Sequence, residues 1–160
     1  MKPRFLELLE VLRNSGTEFV IVGGVAAIIE GAPVTTLDLD IVYRADTANI
    51  ERLATALERL GAKYRDPAGR VIAPTVERLR QNRVNLLETS AGLLDALQEI
   101  GDKWGYEEIV DRSSERPVGD FKVRVLDLAA IIETKEASAR PKDEATLPVL
   151  RETLRLKQKA

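Results

Sequence analysis

The 160-residue chain contains neither cysteine nor histidine. Without cysteine there is no disulfide, no thiolate nucleophile and no zinc–sulfur site. Without histidine, Ser-His-Asp triads, imidazole bases and imidazole-ligated metals are excluded as well. Any metal bound by this chain must be held by carboxylates, which favours hard cations such as Mg²⁺ or Mn²⁺. Aromatic residues amount to only 4 %, and none is interleaved with the mid-chain arginines as base stacking would require. Long apolar runs are missing too. The longest, over residues 19–29, is interrupted by Gly23 and Gly24 and is too short to span a bilayer. The opening residues show no signal-peptide h-region and no small-residue cleavage site, so the expected location is the cytoplasm, with no membrane partner.

What remains is the composition of one globular domain, 44 % hydrophobic and 31 % charged, with a formal net charge of −2. That balance gives no general attraction to nucleic acid. Positive charge is nevertheless clustered, at Arg70, Arg78, Arg80 and Arg83 and again at Arg151, Arg155, Lys157 and Lys159. The expected division is a core over residues 1–140 and a short C-terminal helical extension of the same domain over 141–160.

Periodicity supplies the elements. Phe5, Leu8, Leu9 and Leu12 predict a helix over 3–14, stopped by Gly16. Residues 19–22 form an unbroken apolar run, as expected of a strand buried on both faces. Gly23-Gly24 then turns the chain into a short helix over 25–30. Residues 37–43 alternate, with Leu37, Leu39 and Ile41 on one face and Asp38, Asp40 and Val42 on the other. A capped helix to Leu60 follows. Strands are predicted at 62–65, 70–73, 84–88 and 93–97, a polar loop and short helix around 106–110, and a hairpin over 115–126. Asp127 should cap a helix through 139, after which Pro141 and Pro148 predict a break, one turn and a final helix. The fold class is α/β (α+β), a mixed central sheet flanked by helices.

Side chains alternate along a strand, so Asp38 and Asp40 project from one face with Cα atoms about 7 Å apart. Two like charges placed so repel unless a cation lies between them. An exposed edge strand kept soluble by aspartates would show the same triplet. The Gly-Gly turn, separated from Asp38 by thirteen residues, presents free backbone N–H groups and a helix start to an anion. Together these describe a phosphate cradle beside a metal site, as metal-assisted transfer from a nucleoside triphosphate requires. A further carboxylate is needed on a neighbouring strand. Asp95 interrupts the otherwise apolar segment 93–97 and is the better choice, with Glu88 the competitor. Lys135 continues the inward stripe of Leu128, Ile131 and Ile132, so it either snorkels to water or reaches toward an anion.

Val22-Gly23-Gly24 followed by Thr36-Leu37-Asp38-Leu39-Asp40 resembles the signature of the DNA polymerase beta-like nucleotidyltransferase superfamily. The chain is similar over nearly its whole length to minimal nucleotidyltransferase-like proteins of toxin–antitoxin and abortive-infection systems. The likeness extends to Gly23–Ala27, to Gly92–Asp95, and to a late block of Lys135, Arg140, Pro141, Lys142 and Asp143. The resemblance implies a nucleotidyltransferase fold with Asp38, Asp40 and Asp95 as metal-binding and catalytic carboxylates for Mg²⁺ or Mn²⁺. It implies Gly23, Gly24, Thr36, Lys135, Arg140 and Lys142 as contacts to a nucleoside triphosphate. The acceptor would be a hydroxyl of RNA, a protein or a small molecule, and a cognate toxin or antitoxin is an implied partner. The mid-chain arginines Arg70, Arg78, Arg80 and Arg83 fit a place where a nucleic-acid acceptor would lie beside the active centre. Asp143 reads alternatively as a helix cap. The pattern departs from its relatives at Val25, where more strictly catalytic members have serine, at Glu30, where several have histidine, and at Val34, where many have arginine. A weakly catalytic or inactive module that acts by binding a partner is therefore the alternative reading.

Overall fold

In chain order, α1 (Phe5–Asn14) leads to β1 (Phe19–Val22), α2 (Gly23–Ile29), β2 (Asp38–Tyr43) and α3 (Thr47–Arg59). A short β3 (Lys63–Tyr64), α4 (Val76–Gln81) and the hairpin of β4 (Val84–Thr89) and β5 (Gly92–Leu97) come next. Then follow β6 (Glu99–Ile100), β7 (Trp104–Gly105), α5 (Tyr106–Val110), the hairpin of β8 (Ser113–Val118) and β9 (Phe121–Leu126), α6 (Leu128–Ser138) and α7 (Pro141–Lys159). This computed structural model describes residues 3–101, 103–138 and 140–159. No described helix is long and apolar enough to cross a membrane.

Seven strands form one mixed sheet in the order β3-β4-β5-β2-β1-β9-β8, while β6 and β7 make a small ribbon of their own. All four residues of β1 are buried, as its unbroken apolar run predicts. β2 lies antiparallel to β1 and parallel to β5, in a register that sets Asp40 directly opposite Asp95 and Asp38 opposite Leu93. Alternation then divides the chemistry between two faces. Leu39, Ile41 and Tyr43 of β2, with Leu94 and Ala96 of β5, face one helical layer and are fully buried. Tyr43 anchors that layer by donating its hydroxyl to the Leu79 carbonyl of α4 at 2.5 Å. Asp38, Asp40 and Asp95 point the other way, toward α2 and α6. On that face Val84 and Leu86 of β4 stay 56 % and 43 % exposed, so the sheet is open beside the carboxylates.

Buried polar side chains fix the loops around this frame. Asn49, fully buried in α3, accepts from the Glu18 amide at 2.7 Å and donates to the Glu18 and Arg44 carbonyls at 2.9 and 2.7 Å. It ties the entry of β1 to the exit of β2. Asn49→Ala would leave the Glu18 amide and the Arg44 carbonyl without their partner, and urea unfolding should show a loss of about 2–4 kcal/mol.

Three local expectations are corrected. Residues 70–73 form no strand; one bond, from the Tyr64 amide to the Ile72 carbonyl, is all that joins this turn to β3. Residues 141–159 form one helix without a break. Pro141 sits at its first position, where no amide partner is needed, and Pro148 is exposed, so the carbonyl it leaves free can reach water. α7 is no loose tail, since it buries Leu147 and Leu150. The short α4, opened by the Thr75 side chain accepting from the Arg78 amide, was not among the expected elements. The predicted end of α6 at residue 139 lies outside the described residues.

Candidate active site

The three predicted carboxylates meet. One oxygen from each of Asp38, Asp40 and Asp95 can be chosen so that all lie within 4.8 Å of one another. The parallel pairing of β2 with β5 causes this, because it lines Asp40 up with Asp95 and leaves Asp38 one pleat away. Glu88, the competitor, forms an ion pair with Lys63 at 3.1 Å instead.

Asp40 is electrostatically strained. Its Oδ1 is buried without a hydrogen-bond partner. Burial first, and then the neighbouring Asp95 and Asp38 carboxylates, push its pKa up to about 8, against a partial pull downward from Lys135. Such a group is protonated at neutral pH unless a cation joins it. The donors are hard oxygens, one of them is buried without a partner, and the repulsion is of the kind a divalent ion relieves, so the residues fit Mg²⁺ or Mn²⁺.

Glycine is compelled at the adjoining turn. Gly23 has φ 68°, and a Cβ there would overlap the Asp40 carboxylate. A Cβ at Gly24 would come within 2.8 Å of the Thr36 side chain. The turn, Thr36 and Asp40 are thus in direct contact, and the bare backbone at 23–24 is what allows it.

The remaining predicted residues divide. Lys135 reaches anions rather than water: its Nζ donates to Asp143 Oδ1 at 3.1 Å, and its charge is felt by Asp40. Asp143 is buried in the first turn of α7 and also accepts from Ser138 and from Arg140 Nε, the latter at 2.8 Å. These bonds hold its pKa near 2 despite burial, so it is the hub of the α6–α7 junction and more than a cap. Arg140 is committed to that hub, and Lys142 is exposed beside it. Glu30, 3 % exposed, pairs with Arg116 at 3.3 Å and Lys157 at 2.8 Å, joining α2 to β8 and α7 away from the carboxylates. Of the clustered arginines, Arg70 is held by Asp66 and Arg83 by Glu99. Arg78 and Arg80 lie on α4, across the sheet from the acidic face. They do not flank the site as their place in the sequence had led us to expect.

One residue at the centre was not anticipated. Arg65, just past β3, donates from Nη2 to Asp95 Oδ1 at 2.7 Å, and its Nη1 lies 4.0 Å from Asp38 Oδ2. The only signal in the sequence is an arginine at a strand end. Its target emerges only from the register, in which Arg65 bonds Leu86 and Leu86 faces Asp95.

Two carboxylates one residue apart on a strand, a third on its parallel neighbour and a glycine turn against them are thus gathered on one face of the mixed sheet. Solved structures show that this sheet with its flanking helices is a nucleotidyltransferase fold. The chain is similar to lincosamide antibiotic adenylyltransferase LnuA in its lincomycin-bound form, with TM-score 0.65 and 15 % identity, covering 93 % of this chain and 95 % of that one. It is similar to ANT(2'')-Ia in complex with adenylyl-2''-tobramycin, with TM-score 0.61, 18 % identity and coverage of 94 % and 87 %. A nucleotidyltransferase-type protein from Thermotoga maritima, TM1012, gives TM-score 0.55 at 14 % identity, covering 94 % and 90 %. No protein-family model and no curated protein matches the sequence. At such low identities the shared property is the fold.

Proposed function

We propose that the protein is a Mg²⁺- or Mn²⁺-dependent nucleotidyltransferase that moves a nucleoside monophosphate from a nucleoside triphosphate to a hydroxyl of a small molecule. The convergence of Asp38, Asp40 and Asp95 carries this reading. In the reaction the acceptor oxygen forms a bond to the α-phosphorus. The bond from that phosphorus to the oxygen bridging to the β-phosphorus breaks, and pyrophosphate leaves. Asp95 takes the hydroxyl proton. Asp38 and Asp40 would hold the divalent cations, which would offset charge on the phosphate oxygens. The bare backbone of Gly23 and Gly24, with Thr36 against it, leaves room for phosphate. Lys135 exchanges part of its contact with Asp143 for a phosphate oxygen, and Arg140 and Lys142 add positive charge at the same end of α7.

A small hydroxylated acceptor is favoured over RNA. Two structural neighbours are antibiotic-resistance nucleotidyltransferases seen with lincomycin and with adenylyl-2''-tobramycin. The exposed Val84 and Leu86 give an apolar floor on the face of Asp95, whereas the arginines of α4 lie on the opposite face.

The test is thermal unfolding with Mg²⁺ and each of the four nucleoside triphosphates in turn. At least one, at about a hundred times its dissociation constant, should stabilise the protein by roughly 2–3 kcal/mol, or several degrees. Asp38→Ala should lose that shift. A flat response to all four overturns the proposal. It would favour the second reading, a partner-binding module such as a toxin–antitoxin component. Val25, buried in α2, is the observation behind that reading, since its side chain offers phosphate no hydroxyl.

A further inference from the structure

We infer that Arg65 is a positioning residue for Asp95 and an internal counter-ion that competes with cations for the acidic centre. Its kinetic consequence rests on the transfer activity proposed above; its effect on cation binding does not. The residue is tethered at several points. The main-chain amide donates to the Leu86 carbonyl at 3.0 Å, Nε to the Leu87 carbonyl at 3.1 Å, and Nη2 to Asp95 Oδ1 at 2.7 Å. An arginine serving only solubility has no reason to be so fixed, and this side chain is 26 % exposed. The planar fork spans both a strand carbonyl and the carboxylate, which a lysine ammonium on its single point cannot do.

Two effects follow. The bond to Oδ1 restrains rotation of the Asp95 carboxylate beside Asp40, its register partner. The fixed positive charge, which also lies near Asp38, offsets one of the three negative charges that a cation would otherwise meet. The chain therefore trades affinity for the free ion against orientation of the carboxylate. A cation should bind weakly on its own and better once triphosphate oxygens share its coordination.

The experiment uses the full chain with wild type, Arg65→Ala and Arg65→Lys. Free Mn²⁺ is followed by its paramagnetic resonance signal, without nucleotide, beside transfer kinetics with the triphosphate that stabilises the protein. Arg65→Ala should bind Mn²⁺ about tenfold more tightly than wild type, from loss of a charge a few ångströms away. Its kcat should fall about 10- to 100-fold, as expected for a base no longer held in place. Arg65→Lys separates the two effects: Mn²⁺ affinity near wild type, because the charge stays, with kcat still reduced. If alanine prevents folding, Arg65→Gln supplies the neutral variant. Equal or weaker Mn²⁺ binding in the neutral variant, or a lysine variant with undiminished kcat, overturns the inference. If no triphosphate is turned over by the wild type, the transfer reading fails, while the Mn²⁺ comparison still decides the role of the charge.

Discussion

Asp40→Asn should abolish nucleotidyl transfer and, in the same protein, make the metal-free fold harder to unfold. The loss follows from removing the central ligand of the cluster. Neighbouring Asp38 and Asp95 cannot hold the cations in register without it, and transfer should fall by about a thousandfold or more. The gain follows from burial of the carboxyl and from its neighbours Asp95 and Asp38, which push its pKa up to about 8. In the unfolded chain the carboxyl titrates at its ordinary 3.8. Between those values the folded state keeps a proton that the unfolded state gives up, so rising pH destabilises the wild type. Asparagine has no such liability. With metal chelated, the variant should gain roughly 2–4 kcal/mol at pH 7–8. That advantage should fade as the pH falls below the unfolded value of 3.8, where both forms of the wild type are protonated. Urea titrations of both proteins across this range check the sign, and a constant difference would show that Asp40 is not strained by charge.

The second large effect is expected at Gly23→Ala. Two costs coincide there: a positive φ of 68°, and a Cβ that would overlap the Asp40 carboxylate. Gly61 provides the control, with φ 60° and no atom within 4 Å of an added Cβ. Gly61→Ala should cost about 1 kcal/mol from backbone strain alone. Gly23→Ala should cost about 3 kcal/mol and also remove the triphosphate-dependent stabilisation, because Asp40 must move. Equal losses at the two glycines would mean that the turn does not press on the carboxylate.

The acidic centre was largely legible because its geometry is local. The alternation of Leu37 to Tyr43 puts Asp38 and Asp40 on one face, and Asp95 stands out in an apolar strand. Lys135 was legible for the same reason, as a charge on an apolar helical stripe. Arg65 was not, since its role depends on β3 pairing with β4 and β4 with β5, and no local pattern encodes those registers. Distance in sequence misled in the other direction for Arg78 and Arg80. They lie close to the site's strands along the chain, but α4 carries them to the far side of the sheet. Pro148 shows a different limit: proline weakens a helix, yet the burial of Leu147 and Leu150 against the core outweighs one lost hydrogen bond. The mixed sheet and flanking helices were recoverable from periodicity together with the family resemblance, since the long strands carry clear patterns. The short α4 and the two-residue β6 and β7 do not.

The most direct test of the acidic centre is anomalous scattering from crystals grown with Mn²⁺ and a non-hydrolysable nucleoside triphosphate. The account predicts Mn²⁺ held between Asp38 and Asp40, with Asp95 on one of the ions and triphosphate oxygens completing its coordination beside Gly23 and Gly24. Manganese peaks that avoid this cluster, with nucleotide bound elsewhere or not at all, would contradict it.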